Sequence, residues 1–295
     1  MGATDESMQL PPLPSLAGMD ALPTLPVVAI RLGEIVHSRN VSVQQVAELL
    51  RGDPATSAKL LRLVNSPYFG IPGGVADVAR AIPFIGFSTL YQLVLSITVI
   101  EALGGKDSAV RALWIHSLSV ATTARELAVE AKVDPGAAFT AGLLHEMGNI
   151  ALAKLDPTSF EAATERARAG NLSMDVAEQQ LGLPSHARVG AALAKQWRFP
   201  AALAVPIEQH HAIHRAAVRG KLAATLRNLT EVLAGADWLA HATARTFDGR
   251  SETPDEPEAL ALFERVGLSA AQRQAVSDRA KLALEKSKIF LAVLD

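Results

Sequence analysis

No run of this 295-residue chain alternates apolar and polar residues with the two-residue period of a strand. Segment after segment instead repeats its apolar residues three and four positions apart. That spacing gathers apolar side chains on one face of a helix, so the chain is predicted to be all-α. The punctuation agrees. Ser42 stands where a helix cap belongs. Asp53-Pro54 opens the next helix, with an N-cap carboxylate and a proline where a missing N–H costs nothing. Asn65-Ser66-Pro67 closes it, because proline disfavours helix in the residue before it. Gly70 to Gly74 reads as a loop, and Gly104-Gly105 stops the helical stretch that reaches Leu103. Beyond Asp107, helices are expected near 108–131, 136–154, 157–169, 173–181, 185–197, 200–214 and 217–245. An acidic, proline-containing loop at 249–258 precedes a closing pair of helices.

Composition narrows the class. Leu and Ala dominate a 49% hydrophobic content, which favours helices and a soluble core. A net charge of −2 gives no general attraction to nucleic acid or anionic membrane. The absence of cysteine removes disulfides, thiolate metal sites and cysteine nucleophiles together, so any metal must be held by nitrogen and oxygen. The N-terminus is acidic and proline-rich (Asp5, Glu6, Pro11, Pro12, Pro14) and does not read as a signal peptide. Ala81 to Ile100 carries no charge over twenty residues, long enough to span a bilayer. Its polar stripe of Ser88, Gln92 and Ser96, with Pro83 and Gly86 near the start, fits a buried core helix better. A cytoplasmic protein without a membrane span is expected.

The polar residues that occupy apolar positions carry the functional signal. His116 shares a helical face with Val120, Thr123 and Leu127, and His186 shares one with Gly190, Leu193 and Trp197. His210 follows Leu203 and Ile207, and Asp237 follows Leu226 and Leu233, again at helical spacing. His145 follows Ala141 by four and is joined to Glu146 in a doublet. Any one of these alone would also fit a hydrogen-bonded core residue, and Asp237 could instead pair with His241 one turn on. Together they aim ligand-type groups from five helices into one interior, as metal-binding bundles do. Imidazole and carboxylate suit iron, manganese or zinc without choosing among them. His37, His214 and His241 fall outside this set. The chain shows neither a glycine-rich phosphate loop nor a serine nucleophile elbow.

The order His116, His145-Glu146, His186, His210-His211 and Asp237 resembles the HD superfamily of metal-dependent phosphohydrolases. Leu193 to Pro200 running into the double histidine narrows the likeness. So do Gly52-Asp53-Pro54, Leu60 to Gly70 with its Asn-Ser-x-x-Phe-Gly core, and Ala81-Ile82 with Gly86. Together these segments are similar to the HDOD domain, an HD-related output domain of bacterial signalling proteins. The resemblance implies an N-terminal helical subdomain (23–105) packed on an HD-like bundle (106–247), flanked by a tail (1–22) and by an acidic loop with C-terminal helices (248–295). It further implies a divalent metal at His116, His145, Glu146, His186, His210, His211 and Asp237, and a protein signalling partner or nucleotide-type ligand. Three positions depart from hydrolase relatives. The doublet is His-Glu rather than His-Asp, Asn149 stands at a basic position, and Ala212-Ile213-His214-Arg215 replaces a Gly-Tyr-Pro segment. The expectation is therefore a signalling module that binds a protein or small ligand, with degenerate or absent hydrolase activity. Its alternative is a metal-dependent phosphohydrolase acting on a nucleotide or cyclic dinucleotide.

Overall fold

The computed structural model describes residues 22, 24–36, 38–104, 107–243 and 256–293, so the N-terminal tail, His37 and the acidic stretch at 248–255 lie outside the described residues. Among the described residues every regular element is helical, as the apolar spacing predicts. Four helices come first: α1 (Val27–Val36), α2 (Val43–Arg51), α3 (Pro54–Val64) and α4 (Val78–Leu103). Ser42 caps α2 in a reciprocal box with Gln45, and Asp53 accepts from the Thr56 amide to cap α3. α4 holds the long uncharged segment. It kinks at Gly86, whose φ of 77° is left-handed, and from Leu90 to Ile100 every residue is buried. Length and composition alone would let α4 cross a bilayer, but α1, α2, α3 and the following bundle cover it.

The bundle comprises α5 (Ser108–Ala131), α6 (Pro135–Leu144), α7 (Met147–Leu155), α8 (Pro157–Gly170), α9 (Met174–Leu181), α10 (His186–Gln196), α11 (Ala201–Gln209), the short α12 (Ala216–Arg219) and α13 (Ala224–Thr243). α14 (Glu256–Arg265), α15 (Ala270–Ser287) and a 3₁₀ segment (Lys288–Val293) follow. α5 is the central rod. α6, α13 and α15 all pack on it, and α6 also meets α4, which joins the first four helices to the bundle.

Three expected helices are shorter than their apolar spacing suggests, and one of them, 217–245, is divided at 220–223 into α12 and α13. The stretch 136–154 is two helices, α6 and α7, broken at His145-Glu146, and the stretch 200–214 stops at His210. The breaks at His145 and at His210 have one physical cause. The last carbonyls of a helix lack intrahelical partners, and each histidine turns its ring back onto the carbonyl three residues earlier. His145 Nδ1 donates to Gly142 O at 2.7 Å and His210 Nδ1 to Ile207 O at 2.8 Å. Each ring thereby caps its own helix.

Close approach of the helices fixes where these rings sit. A Cβ on Gly142 would lie 2.6 Å from the Ala121 Cα, so α6 can rest against the α5 backbone only because this residue is glycine. A Cβ on Gly148 would lie 1.9 Å from the His186 carbonyl oxygen, which presses α7 onto the first turn of α10. Backbone atoms cannot swing aside as a side-chain tip can. Gly148→Ala is therefore expected to cost about 3 kcal/mol or more, the upper range of overpacking changes. Urea denaturation of the variant beside wild type checks it.

Candidate metal centre

The break after α6 places His145 and Glu146 in the bundle interior. His116 reaches the same interior from α5, His186 from the start of α10, His210 from the end of α11 and Asp237 from α13; all six are buried, and His211 is half-buried. The structure brings every one of the sequence-predicted residues together. His116 Nε2 lies 3.2 Å from Asp237 Oδ1, and His145 Nε2 lies 3.8 Å from the same oxygen. Glu146 stands between two histidines, with Oε1 3.6 Å from His145 Nε2 and Oε2 3.9 Å from His186 Nε2. His186 Nε2 meets His211 Nε2 at 3.0 Å.

Three groups have ligand atoms within 4.8 Å of one another: His116, His145 and Glu146; His116, Asp237 and His241; and His186, His210 and His211. Bonds to zinc-like ions are about 2 Å long, so such spacings are compatible with a shared divalent cation. His116 belongs to two of the groups and links them. His241, placed outside the set by the sequence reading, belongs here: its Nε2 is 3.2 Å from Asp237 Oδ1. The i, i+4 relation of Asp237 and His241 on one helix was the available signal, and it reads equally well as a simple pair. His214 is exposed and joins none of the three groups.

The tautomers strengthen the fit. A carbonyl only accepts, so His145 and His210 each carry their proton on Nδ1 and present a bare lone pair on Nε2. Neither Nε2 atom has a hydrogen-bond partner, though both are buried. His186 Nδ1 faces both oxygens of Glu178 at 3.0 Å, the carboxylate–histidine arrangement that orients metal ligands. Glu178 gave no sign of this in sequence, where it sits in the polar run Glu178-Gln179-Gln180. Asn149 is fully buried and donates from Nδ2 to Glu146 Oε2, so the residue at the family's basic position orients the doublet carboxylate instead.

Charge follows from this crowding. Burial opposes ionisation of Glu146, but His186, His145, His116 and His210 outweigh it and hold the carboxyl well below the usual range. Burial likewise opposes the charge of Asp237, and the nearby His241, with His116 and His145, overcomes it and holds the carboxyl well below the usual range. Burial, with His211 and His145 nearby, keeps His210 neutral far below its ordinary range. His186 goes the other way: burial works to lower it, but Glu178 and Glu146 lift it to about 10. A cavity of about 260 Å³ reaches the cluster, lined in part by His210, His211, Asp237, His241, Asp175 and Trp238.

Comparison with known proteins agrees with this architecture. Residues 22–213 match the HDOD domain, a span that includes His116 through His211 and ends before Asp237 and His241. The chain is 26% identical over 251 residues to an uncharacterized protein of Treponema pallidum (strain Nichols). That match covers 84% of this chain and 47% of the relative, so the chain spans about half the relative's length. A phosphohydrolase-like protein of Shewanella amazonensis SB2B is 25% identical with a TM-score of 0.71, covering 95% of this chain and 97% of that one. An HDOD domain protein with unknown function from Geobacter sulfurreducens shares the fold at 22% identity and TM-score 0.72, covering 93% and 94%.

The Glu178–His186 pair gives a signed pH prediction for metal-stripped protein. A histidine raised from 6.5 to about 10 contributes stability that is fully present below 6.5 and is lost as pH rises through about 10. Glu178→Gln should move the His186 titration, followed by NMR, from about 10 down toward 6.5. The melting-temperature gap from wild type should shrink as pH climbs through the same interval.

Proposed function

The chain belongs to the HDOD domain family, and from that premise we propose that it is a bacterial signalling module whose bundle holds a divalent metal and which acts by binding a partner protein or small ligand. His116, His145, Glu146, His186, His210, His211 and Asp237 hold the metal, iron, manganese or zinc, and His241 joins them. The ion supplies a fixed positive charge to a core otherwise built of facing acceptors, and the chemistry of a Lewis acid when a ligand reaches it. The residues themselves do the rest. Glu178 orients His186, Asn149 orients Glu146, and the Gly142 and Ile207 carbonyls set the tautomers of His145 and His210.

The observation that carries a binding role over hydrolysis is the lining of the cavity that reaches the cluster. Phosphoryl chemistry needs cations to hold the phosphate oxygens. Among the described residues neither lysine nor arginine lines the cavity. Asp175 does, and although burial opposes its charge, His211 and a Ser173 hydrogen bond hold it at about 2, so it remains anionic. A phosphate entering here would meet a carboxylate.

Two measurements test the proposal. Protein purified without added metal should carry iron, manganese or zinc by elemental analysis, and His145→Ala should lower retained metal by about tenfold or more, the scale that even outer-shell changes reach. Metal-loaded protein screened against cyclic dinucleotides and nucleotide phosphates should show no turnover above the metal-only blank. Metal-dependent turnover that His145→Ala abolishes would establish the hydrolase alternative instead.

A further inference from the structure

The Asn65–Gly70 segment contributes nothing to the histidine cluster. It builds the wall of a second and larger cavity, about 460 Å³, where α4 and the loop after α3 face α5 and α6. Asn65 latches this wall in place. Its Nδ2 donates to Val75 O at 2.9 Å and its Oδ1 accepts from Val75 N at 2.7 Å, closing the loop that presents Tyr68 and Phe69. Tyr68, Phe139 and Phe290 pack ring against ring beneath it, with centroids 5.2 to 5.8 Å apart. Phe84, on the stretch of α4 ahead of the Gly86 kink, also lines the cavity and is 62% exposed. The lining thus carries aromatic rings from the loop after α3, from α4 and from α6, and the volume falls in the range of small-molecule sites.

The charged groups in the lining are few. The Arg125 guanidinium carbon lies 4.6 Å from the Tyr68 ring centroid. Among the described residues it has no carboxylate within ion-pair distance, although the adjacent Glu126 is paired with Arg279. The Thr140 hydroxyl is fully buried, lines the cavity and has no hydrogen-bond partner. Burial, opposed by Arg125, pushes the Tyr68 hydroxyl up to about 12, so it stays neutral and able to donate. Asp134 also lines the cavity, but its carboxylate accepts from Gly136 N and Ala137 N as the cap of α6. A guanidinium left without an acid, in a cavity whose lining also holds a buried, unpartnered hydroxyl, suits an acceptor-bearing anion.

From this arrangement we infer that the cavity is a binding site for a small planar ring carrying an anionic group, with the ring among Tyr68, Phe84 and Phe139 and the anion on Arg125. The site is separate from the metal centre, and its test does not depend on metal. The probes are naphthalene-2-sulfonate and its neutral counterpart 2-naphthalenemethanol, titrated by fluorescence into the full chain, with thermal melts confirming that each variant is folded. The sulfonate should saturate one site and bind about tenfold or more tightly than the alcohol, the scale of one charge-assisted hydrogen bond. Arg125→Gln should erase that preference. Phe84→Ser, at an exposed position, should weaken both probes. Equal affinity of the two probes for wild type, absence of saturable binding, or binding that survives both substitutions would overturn the inference. So would binding lost on Trp238→Ala but not on Arg125→Gln, which would place the probe in the smaller cavity.

Discussion

The structure turns on where three imidazole protons point. His145 and His210 each give their Nδ1 proton to a carbonyl at the end of their own helix, and His186 turns its Nδ1 edge to Glu178. The opposite edges of these rings therefore face inward, toward Glu146 and Asp237. An interior of facing acceptors repels itself unless positive charge lies between them. Protons can supply part of that charge, as the upward shift of His186 indicates. A divalent cation supplies it more compactly and leaves the tautomers undisturbed.

The surrounding helices serve this arrangement. α6 can approach α5 through Gly142, and α7 can approach α10 through Gly148, with no side chain intervening at either contact. These contacts bring His145 beside His116 and Glu146 beside His186. α5 and α6 also extend from the cluster to the larger cavity, with His116 and Arg125 on α5, and with Thr140 on α6 and His145 at its end. Both spans are short, since nine helical residues rise only about 13 Å. The same pair of helices thus contributes both to the histidine cluster and to the wall of the larger cavity.

Much of this was legible in the sequence, for reasons that can be named. Helical spacing exposed the all-α fold, and apolar faces interrupted by His116, His186 and Asp237 pointed to residues that the structure clusters. Helix ends are where apolar spacing is blind. Apolar periodicity runs straight through His145 and His210, and only the return of each ring to a carbonyl three residues back stops the helix there. Spacing cannot register a hydrogen bond of that kind. Glu178 was invisible because its polar neighbours suggest solvent, and only tertiary packing buries it against His186. His241 was visible as a partner for Asp237 but not as a member of the cluster, because that membership depends on how α13 packs against α5. The Asn65–Gly70 segment identified the family without disclosing its physical task, which is to close a loop over a cavity.

Anomalous diffraction at the metal absorption edge, on crystals of protein as purified, tests the central claim most directly. The account predicts a peak inside the bundle at about 2.0–2.2 Å from His145 Nε2, with donors from His116, Glu146 and Asp237 around it. Density showing His145 and His210 Nε2 hydrogen-bonded to ordered water, with no anomalous signal among these residues, would contradict it.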